Sequence, residues 1–283
     1  MKEGEQRMIP KVINYCWFGG NPLPESAVKC IASWKKFFPE YEIKEWNEEN
    51  FDLETCDYVK EAYQAKKWAF VSDYARFWIL YHYGGLYFDT DVEVIKDMSK
   101  IVESGSFMGC EATYDKGKPS LMVNPGLGLG AEPGLKLYRD MLDLYGTLKF
   151  INKDGTLNEQ TVVGYTTGML KKYGFVGNGR GENIGEIQVY PQEYFCPLNY
   201  ATGELNITEN TVSIHHYTAS WHSTLDNLIC QIEQCDYVNH PLEYKIRRVL
   251  SFGFRVVNKV KKNGMKETVK LVLNKLSVYN THK

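Results

Sequence analysis

Residues Tyr81 to Val94 read YHYGGLYFDTDVEV, and two aspartates, Asp89 and Asp91, stand one residue apart behind an apolar run. The run before them decides the fold class. Lys66 to about Tyr83 is mostly apolar at helical length, Gly84-Gly85 supply a left-handed stop, and LYFDTDVEV then enters a sheet. Upstream, KVINYCWF (Lys11 to Phe18) is rich in β-formers and closed by Gly19-Gly20. A helix follows, with Pro24 in its first turn and Val28, Ile31, Ala32 and Lys35 at helical spacing, and Pro39 ends it. YEIKEW (Tyr41 to Trp46) alternates as a half-buried strand. Strand, helix, strand is the unit that builds a parallel sheet, so the chain reads as α/β.

The rest of the chain extends this pattern. SFMGCEA, IQVYPQEYF and TVSIHHYTASW read as strands, LKLYRDMLDLYGTL and TTGMLKKYGF as helices, and NPGLGLGAEPG as loop and turn. With 283 residues, 43% hydrophobic and 24% charged, there is room for one large soluble domain with an appendage. A net charge of −2 excludes a polyanion binder over the whole chain, so no nucleic-acid partner is expected. The 20 Tyr, 13 Phe and 6 Trp suit sugar rings and bases but also serve a large core. Seven scattered cysteines without a C-x-x-C pair point to reduced thiols. The opening MKEGEQRMIPK is too polar for a signal peptide, and no apolar run approaches the ~20 residues of a membrane span. A cytoplasmic protein is expected.

Charge divides the chain unevenly. From Leu242 onward eleven basic residues face only Glu243 and Glu267, a balance of +9 against about −11 for the remainder. Leu242, Ile246, Val249, Leu250, Phe254 and Val257 fall at helical spacing. Composition therefore expects a main domain over 1–240 and a basic helical extension over 241–283. That helix either packs on the domain or lies peripherally on the inner face of an anionic membrane.

If the strand continues through them, Asp89 and Asp91 point the same way. Two close carboxylates repel unless a cation offsets them, and a divalent metal is the simplest one. The edge of a sheet is also where α/β proteins hold ligands. Within the preceding helix, Asp73 and Arg76 at i and i+3 share a face and could bind a polyhydroxylated ligand. A strand-end turn and a helix salt bridge are the plainer readings of the same residues. An aspartate-nucleophile phosphatase also uses D-x-D, but it wants Thr or Val where this chain has Glu93.

IPKVINYCWFGG, SDYARFWILYHYGGLYFDTDVEV and SIHHYTASW together resemble glycosyltransferase family 32, the group described as sugar-binding region containing the DXD motif. It includes capsular-polysaccharide and outer-chain mannosyl transferases and is similar in its core to the bacterial glucosylating toxins. The resemblance covers roughly residues 8 to 222. It implies a GT-A fold with a mostly parallel central sheet flanked by helices. It also implies Mn²⁺ or Mg²⁺, a nucleotide-sugar donor with a UDP-hexose foremost, and transfer with retention to a cell-surface glycan or lipid-linked acceptor. Trp17 matches the tryptophan on the nucleotide base. Asp73 and Arg76 match the pair holding the donor sugar's hydroxyls, and Tyr87 the aromatic beside the sugar-phosphate. Asp89 and Asp91 match the D-x-D, with Asp91 the more direct metal ligand. His216, Ser220 and Trp221 fill the closing pattern, with His215 competing for the metal and the Trp221 indole N–H aimed at the departing diphosphate. Asn124 and Thr166 or Thr167 are acceptor-side candidates. A scaffold of the same fold without turnover is the alternative function.

Overall fold

The computed structural model describes residues 8–115, 118–200, 202–218, 224–235, 240–261 and 264–265. The chain forms two compact units, Met1–Leu198 with Leu205–Thr218, and Asn199–Glu204 with Ala219–Lys283.

In the first unit the opening β-α-β reading is met by β1 (Val12–Cys16), α1 (Glu25–Phe37) and β2 (Glu42–Trp46). Helix α1 buries Ala27, Cys30, Ile31 and Trp34, while Val28 is exposed. The buried stripe is centred on Trp34, whose indole Nε1 donates to Val92 O at 2.7 Å. Next come α2 (Asp57–Gln64), α3 (Trp68–Tyr83), β3 (Gly85–Tyr87), β4 (Val92–Val94) and α4 (Ser99–Glu103). They are followed by β5 (Phe107–Asp115), β6 (Lys118–Val123), β7 (Leu129–Ala131), α5 (Lys136–Gly146) and α6 (Val162–Lys172). The unit ends with β8 (Glu182–Ile184), β9 (Ile187–Tyr190), α7 (Gln192–Phe195) and β10 (Ser213–His215). Pro191 explains why IQVYPQEYF is a strand only to Tyr190: it stands at the N-cap of α7.

The main sheet runs β2-β1-β3-β7-β5-β9-β8, with β6 beside β5. Among the described residues five of its eight strands run one way, and β6, β7 and β8 are reversed. Strand alternation sorts its side chains into two cores. Leu86 and Phe88 join Trp34 on one face. Tyr87, between them, joins the face covered by α2, α3, α5 and α6. Buried Asn14 ties the strands at their start, donating from Nδ2 to Leu86 O (3.1 Å) and accepting from Trp46 Nε1 (2.9 Å). Gly85 is required there: it has φ +100°, and a Cβ would stand 2.6 Å from Val12 O.

A separate two-stranded ladder pairs β4 with β10 antiparallel, Val92 opposite His215. In the second unit α8 (Thr224–Glu233) packs on α9 (Pro241–Leu250), and a further helical run covers 252–261. No described helix is long and apolar enough to cross a membrane.

Candidate active site

Strand β3 stops at Tyr87 and β4 begins at Val92, so Asp89 and Asp91 do not sit on one continuous strand. They occupy a turn closed by Val92 N–H donating to Asp89 O at 3.0 Å. Strand alternation is therefore not what places them, a correction to the sequence expectation. Each carboxylate has its own cationic partner instead.

Asp89 is answered by Arg76. The guanidinium donates from Nη1 to Asp89 Oδ2 (3.3 Å), and from Nη2 to Asp73 Oδ1 (3.0 Å). Its Nε donates to Ser72 O (3.1 Å), and its Cζ lies 5.0 Å from the centre of the Tyr87 ring. Tyr87 OH donates to Asp89 Oδ1 (3.1 Å). Arg76 is only 3% exposed. Burial alone would favour losing its proton, but Asp89, Tyr87 and Asp73 hold it charged. One guanidinium shared by two carboxylates leaves one of them under-compensated. Asp73 is the more buried, and burial pushes its carboxyl up to about 7 even against the pull of Arg76, with Asp89 adding to the rise.

Asp91 is answered by His215 and Thr218. His215 Nε2 lies 3.2 Å from Asp91 Oδ1, and Thr218 donates to Oδ2 from its backbone N–H (2.9 Å) and its hydroxyl (3.2 Å). Burial works to raise the Asp91 carboxyl, yet these partners hold it down at about 2. Burial of His215 works against its protonation, and Asp91 outweighs it, so the imidazole is shifted toward the charged form. Among the described residues its buried Nδ1 has no partner. The neighbouring His216 is turned away: its Nε2 lies 2.8 Å from Glu93 Oε2, and only its backbone N–H reaches Asp91 O (2.9 Å). Of the two histidines the strand presents, it is His215, not His216, that meets the aspartate pair.

Trp17 stands directly after β1, half-buried, with Nε1 donating to Asn21 O at 2.6 Å. Thr166 and Thr167 are buried, and Thr167 Oγ1 accepts from Val123 N (2.9 Å), which makes it a brace for the strand end. Ser220 and Trp221 lie outside the described residues.

The sequence reading did not single out Glu111, Gly126, Tyr217 or Thr218. Glu111 Oε2 accepts from Asn124 Nδ2 (2.7 Å) and from Tyr217 OH (2.9 Å). Asn124 Oδ1 in turn accepts from Gly126 N (2.7 Å), and Gly126 O accepts from Asp89 N (3.2 Å). The Tyr217 ring stands edge-on to His215 at 4.2 Å, on a backbone with φ +49°. One carboxylate thus joins the wall beside Asp89 to the wall beside His215. A charge inside the otherwise apolar strand SFMGCEA was the available signal. A Cβ at Gly126 would stand 2.2 Å from Asp89 Oδ2. Gly126→Ala is therefore expected to push the Asp89 carboxylate out of place. Activity should fall at least tenfold, with a melting temperature lowered by only a few degrees, as kinetics and a thermal melt of the same preparation would record.

Residues 24–108 match the family described as glycosyltransferase sugar-binding region containing DXD motif. The D-x-D in that span is Asp89-Thr90-Asp91, and the span also holds Asp73, Arg76 and Tyr87. The chain is 29% identical over 112 residues to inositol phosphoceramide mannosyltransferase 1 of Schizosaccharomyces pombe, covering 37% of this chain and 35% of that protein. It therefore spans about a third of the length of this curated relative. Two solved structures resemble it at 16% identity. One is the PaToxG glycosyltransferase, with TM-score 0.46, covering 59% of this chain and 70% of that one. The other is a glycosyltransferase involved in the glycosylation of the major capsid of PBCV-1, with TM-score 0.43, covering 74% and 95%. The matched segment and the curated relative agree on a glycosyltransferase.

Proposed function

We propose that the chain is a metal-dependent glycosyltransferase that moves a hexose from a nucleotide sugar to a glycan or lipid-linked acceptor with retention of configuration. The observation that carries this reading is the two carboxylates of the turn that follows β3, with Asp91 held ionised at about 2 and Asp73–Arg76 packed behind Asp89. The donor set fits Mn²⁺ or Mg²⁺. Among the described residues no group of three or more metal-ligating side chains gathers. Two carboxylates with the remaining positions left to diphosphate oxygens is how such ions are usually held. Asp89 and Asp91 would hold the ion, which when bound supplies electrostatic stabilisation of the leaving diphosphate.

The chain's own residues do the rest. Asp73 and Arg76 hold the donor sugar's hydroxyls, and Tyr87 fixes Asp89 beside them. Trp17, at the end of the adjacent parallel strand, offers a face to the nucleotide base. His215 and Thr218 keep the Asp91 carboxylate oriented and charged. Bond cleavage leaves an oxocarbenium-like sugar. The departing phosphate oxygen then accepts the acceptor hydroxyl's proton as the new bond forms on the same face. UDP-linked galactose, glucose or an N-acetyl derivative leads as donor. GDP-mannose is included because the curated relative is named a mannosyltransferase.

The test is a thermal-shift screen of nucleotide sugars with Mn²⁺, followed by hydrolysis and transfer assays of the hits with and without excess chelator. At a hundred times its Kd, one donor should stabilise the chain by about 2.7 kcal/mol. Turnover should vanish in chelator, and NMR of the product should show a retained anomer. A stabilising donor that is never turned over supports the scaffold reading. No shift and no hydrolysis with any donor overturns the proposal.

A further inference from the structure

The second unit contains a helix whose burial is the reverse of its sequence pattern. In α9, Leu242, Ile246, Val249 and Leu250 fall at i, i+4, i+7 and i+8, one narrow stripe of a helix. An ordinary surface helix packs such a stripe inward. Here all four are exposed, from 53% for Ile246 to 74% for Val249, and α9 buries no residue at all. The side turned toward α8 is the polar one. Arg247 Nη1 donates to Ile232 O (3.3 Å), and Ser251, fully buried, donates from Oγ to Glu233. By helical rotation, Arg247 and Ser251 lie roughly opposite the apolar stripe.

The pattern continues past α9. Arg255 N donates to Ser251 O at 3.0 Å, so the helical run 252–261 carries on with little change of direction. Phe252 (62% exposed) and Val257 (49%) extend the open apolar surface. Charge is arranged around it by sign. The acidic groups on this side are neutralised within the unit: Glu243 by Arg247 (2.7 Å) and Glu233 by Arg255 (3.4 Å). Lys245 and Lys261 are exposed beside the stripe, and Arg248 and Lys259 are exposed further round the helix. An apolar strip flanked by basic residues, with its acidic groups already answered, is complementary to a surface that is apolar below and anionic above.

We infer that α9 and the run 252–261 are a docking surface for an anionic lipid bilayer, lying in the interface with Leu242, Ile246, Val249, Leu250 and Phe252 inserted and the basic residues at headgroup level. This surface stands independently of the transfer chemistry.

Vesicle co-sedimentation of the full chain decides it. The probes are neutral phosphatidylcholine vesicles and vesicles with 30% phosphatidylglycerol, at low and at high salt. Strong pelleting with the anionic vesicles alone is expected, lost as salt screens the headgroups. Lys245→Glu with Lys261→Glu should weaken partitioning at least about twentyfold. Ile246→Asn with Val249→Asn should weaken it as much while leaving the charge unchanged. All four positions are exposed, so circular dichroism should report an unaltered fold. Equal pelleting with neutral and anionic vesicles, or none with either, overturns the inference. So does a concentration-dependent dimer in mass photometry that Ile246→Asn with Val249→Asn abolishes, because the stripe then covers a second copy of this chain.

Discussion

Asp91→Asn is expected to lower transfer at least a hundredfold, the usual loss when a preorganised electrostatic contact to developing charge is removed. It should also weaken binding of the free nucleoside diphosphate in the presence of Mn²⁺. The amide keeps an oxygen for the Thr218 N–H and hydroxyl, so the turn should survive. A stability cost of about 2 kcal/mol follows from the depressed carboxyl, since each pKa unit is worth about 1.4 kcal/mol. The sign is fixed by that depression. The contribution is present above the unfolded carboxylate value near 3.8 and is lost as pH falls through about 2. His215 behaves oppositely. Its raised folded value gives stability that is complete below 6.5 and lost as pH rises through the shifted value. In the variant this second loss should move to lower pH, because Asp91 is what holds the imidazole charged. Melts from pH 2 to 9 would reveal both. Full transfer by Asp91→Asn, or full transfer by the native chain in excess chelator, would remove the metal reading.

Arg76→Met should produce the largest stability effect. It leaves Asp73 and Asp89 facing each other beneath Tyr87 with no cation. Breaking a buried pair from one side costs about 3–5 kcal/mol, or a drop on the order of 10 °C in melting temperature. Asp73, already at about 7 with Arg76 pulling it down, would then resist ionisation further. A carboxyl raised in the folded state loses stability as pH climbs from its unfolded value through its folded one. The gap to the native chain should therefore narrow at pH 5 and widen at pH 8. Arg76→Lys should recover only part of the loss, since an ammonium cannot reach Asp73, Asp89 and Ser72 O at once as the planar fork does. A pH-independent gap would mean that the two carboxylates do not share the guanidinium.

How much of this could be read from the chain depended on how far apart the partners lie. The opening strand–helix–strand, the apolar α3 and the stop at Gly84 are local patterns, and they appear where the sequence puts them. Asp73 and Arg76 are one helical turn apart, so their pairing was legible too. The D-x-D itself was legible, but its setting was not: the two aspartates stand in a turn after Tyr87 rather than on one continuing strand. The choice between His215 and His216 could not be made from alternation alone, which says only that they diverge. The direction comes from β10 lying on β4. Glu111 was hidden for the same reason. Its partners Asn124 and Tyr217 are 13 and 106 residues away, and no local pattern announces a contact of that span.

The ladder between β4 and β10 also sets an order of events. Each strand is three residues long, and the contact it enables, Thr218 to Asp91, joins positions 127 residues apart. Most of the sheet and both apolar cores draw on segments that precede β10. During synthesis they can gather while the second wall of the site is still missing, and closing so long a loop is left until near the end. In the finished molecule the same short ladder is among the cheapest pieces to part. Opening there would separate His215 from Asp91 and leave the core under α2, α3, α5 and α6 untouched, while the other core would be disturbed where Val92, Val94 and Val212 join it. Competence for catalysis is thus gained late and surrendered early, on a clock distinct from that of the scaffold around it.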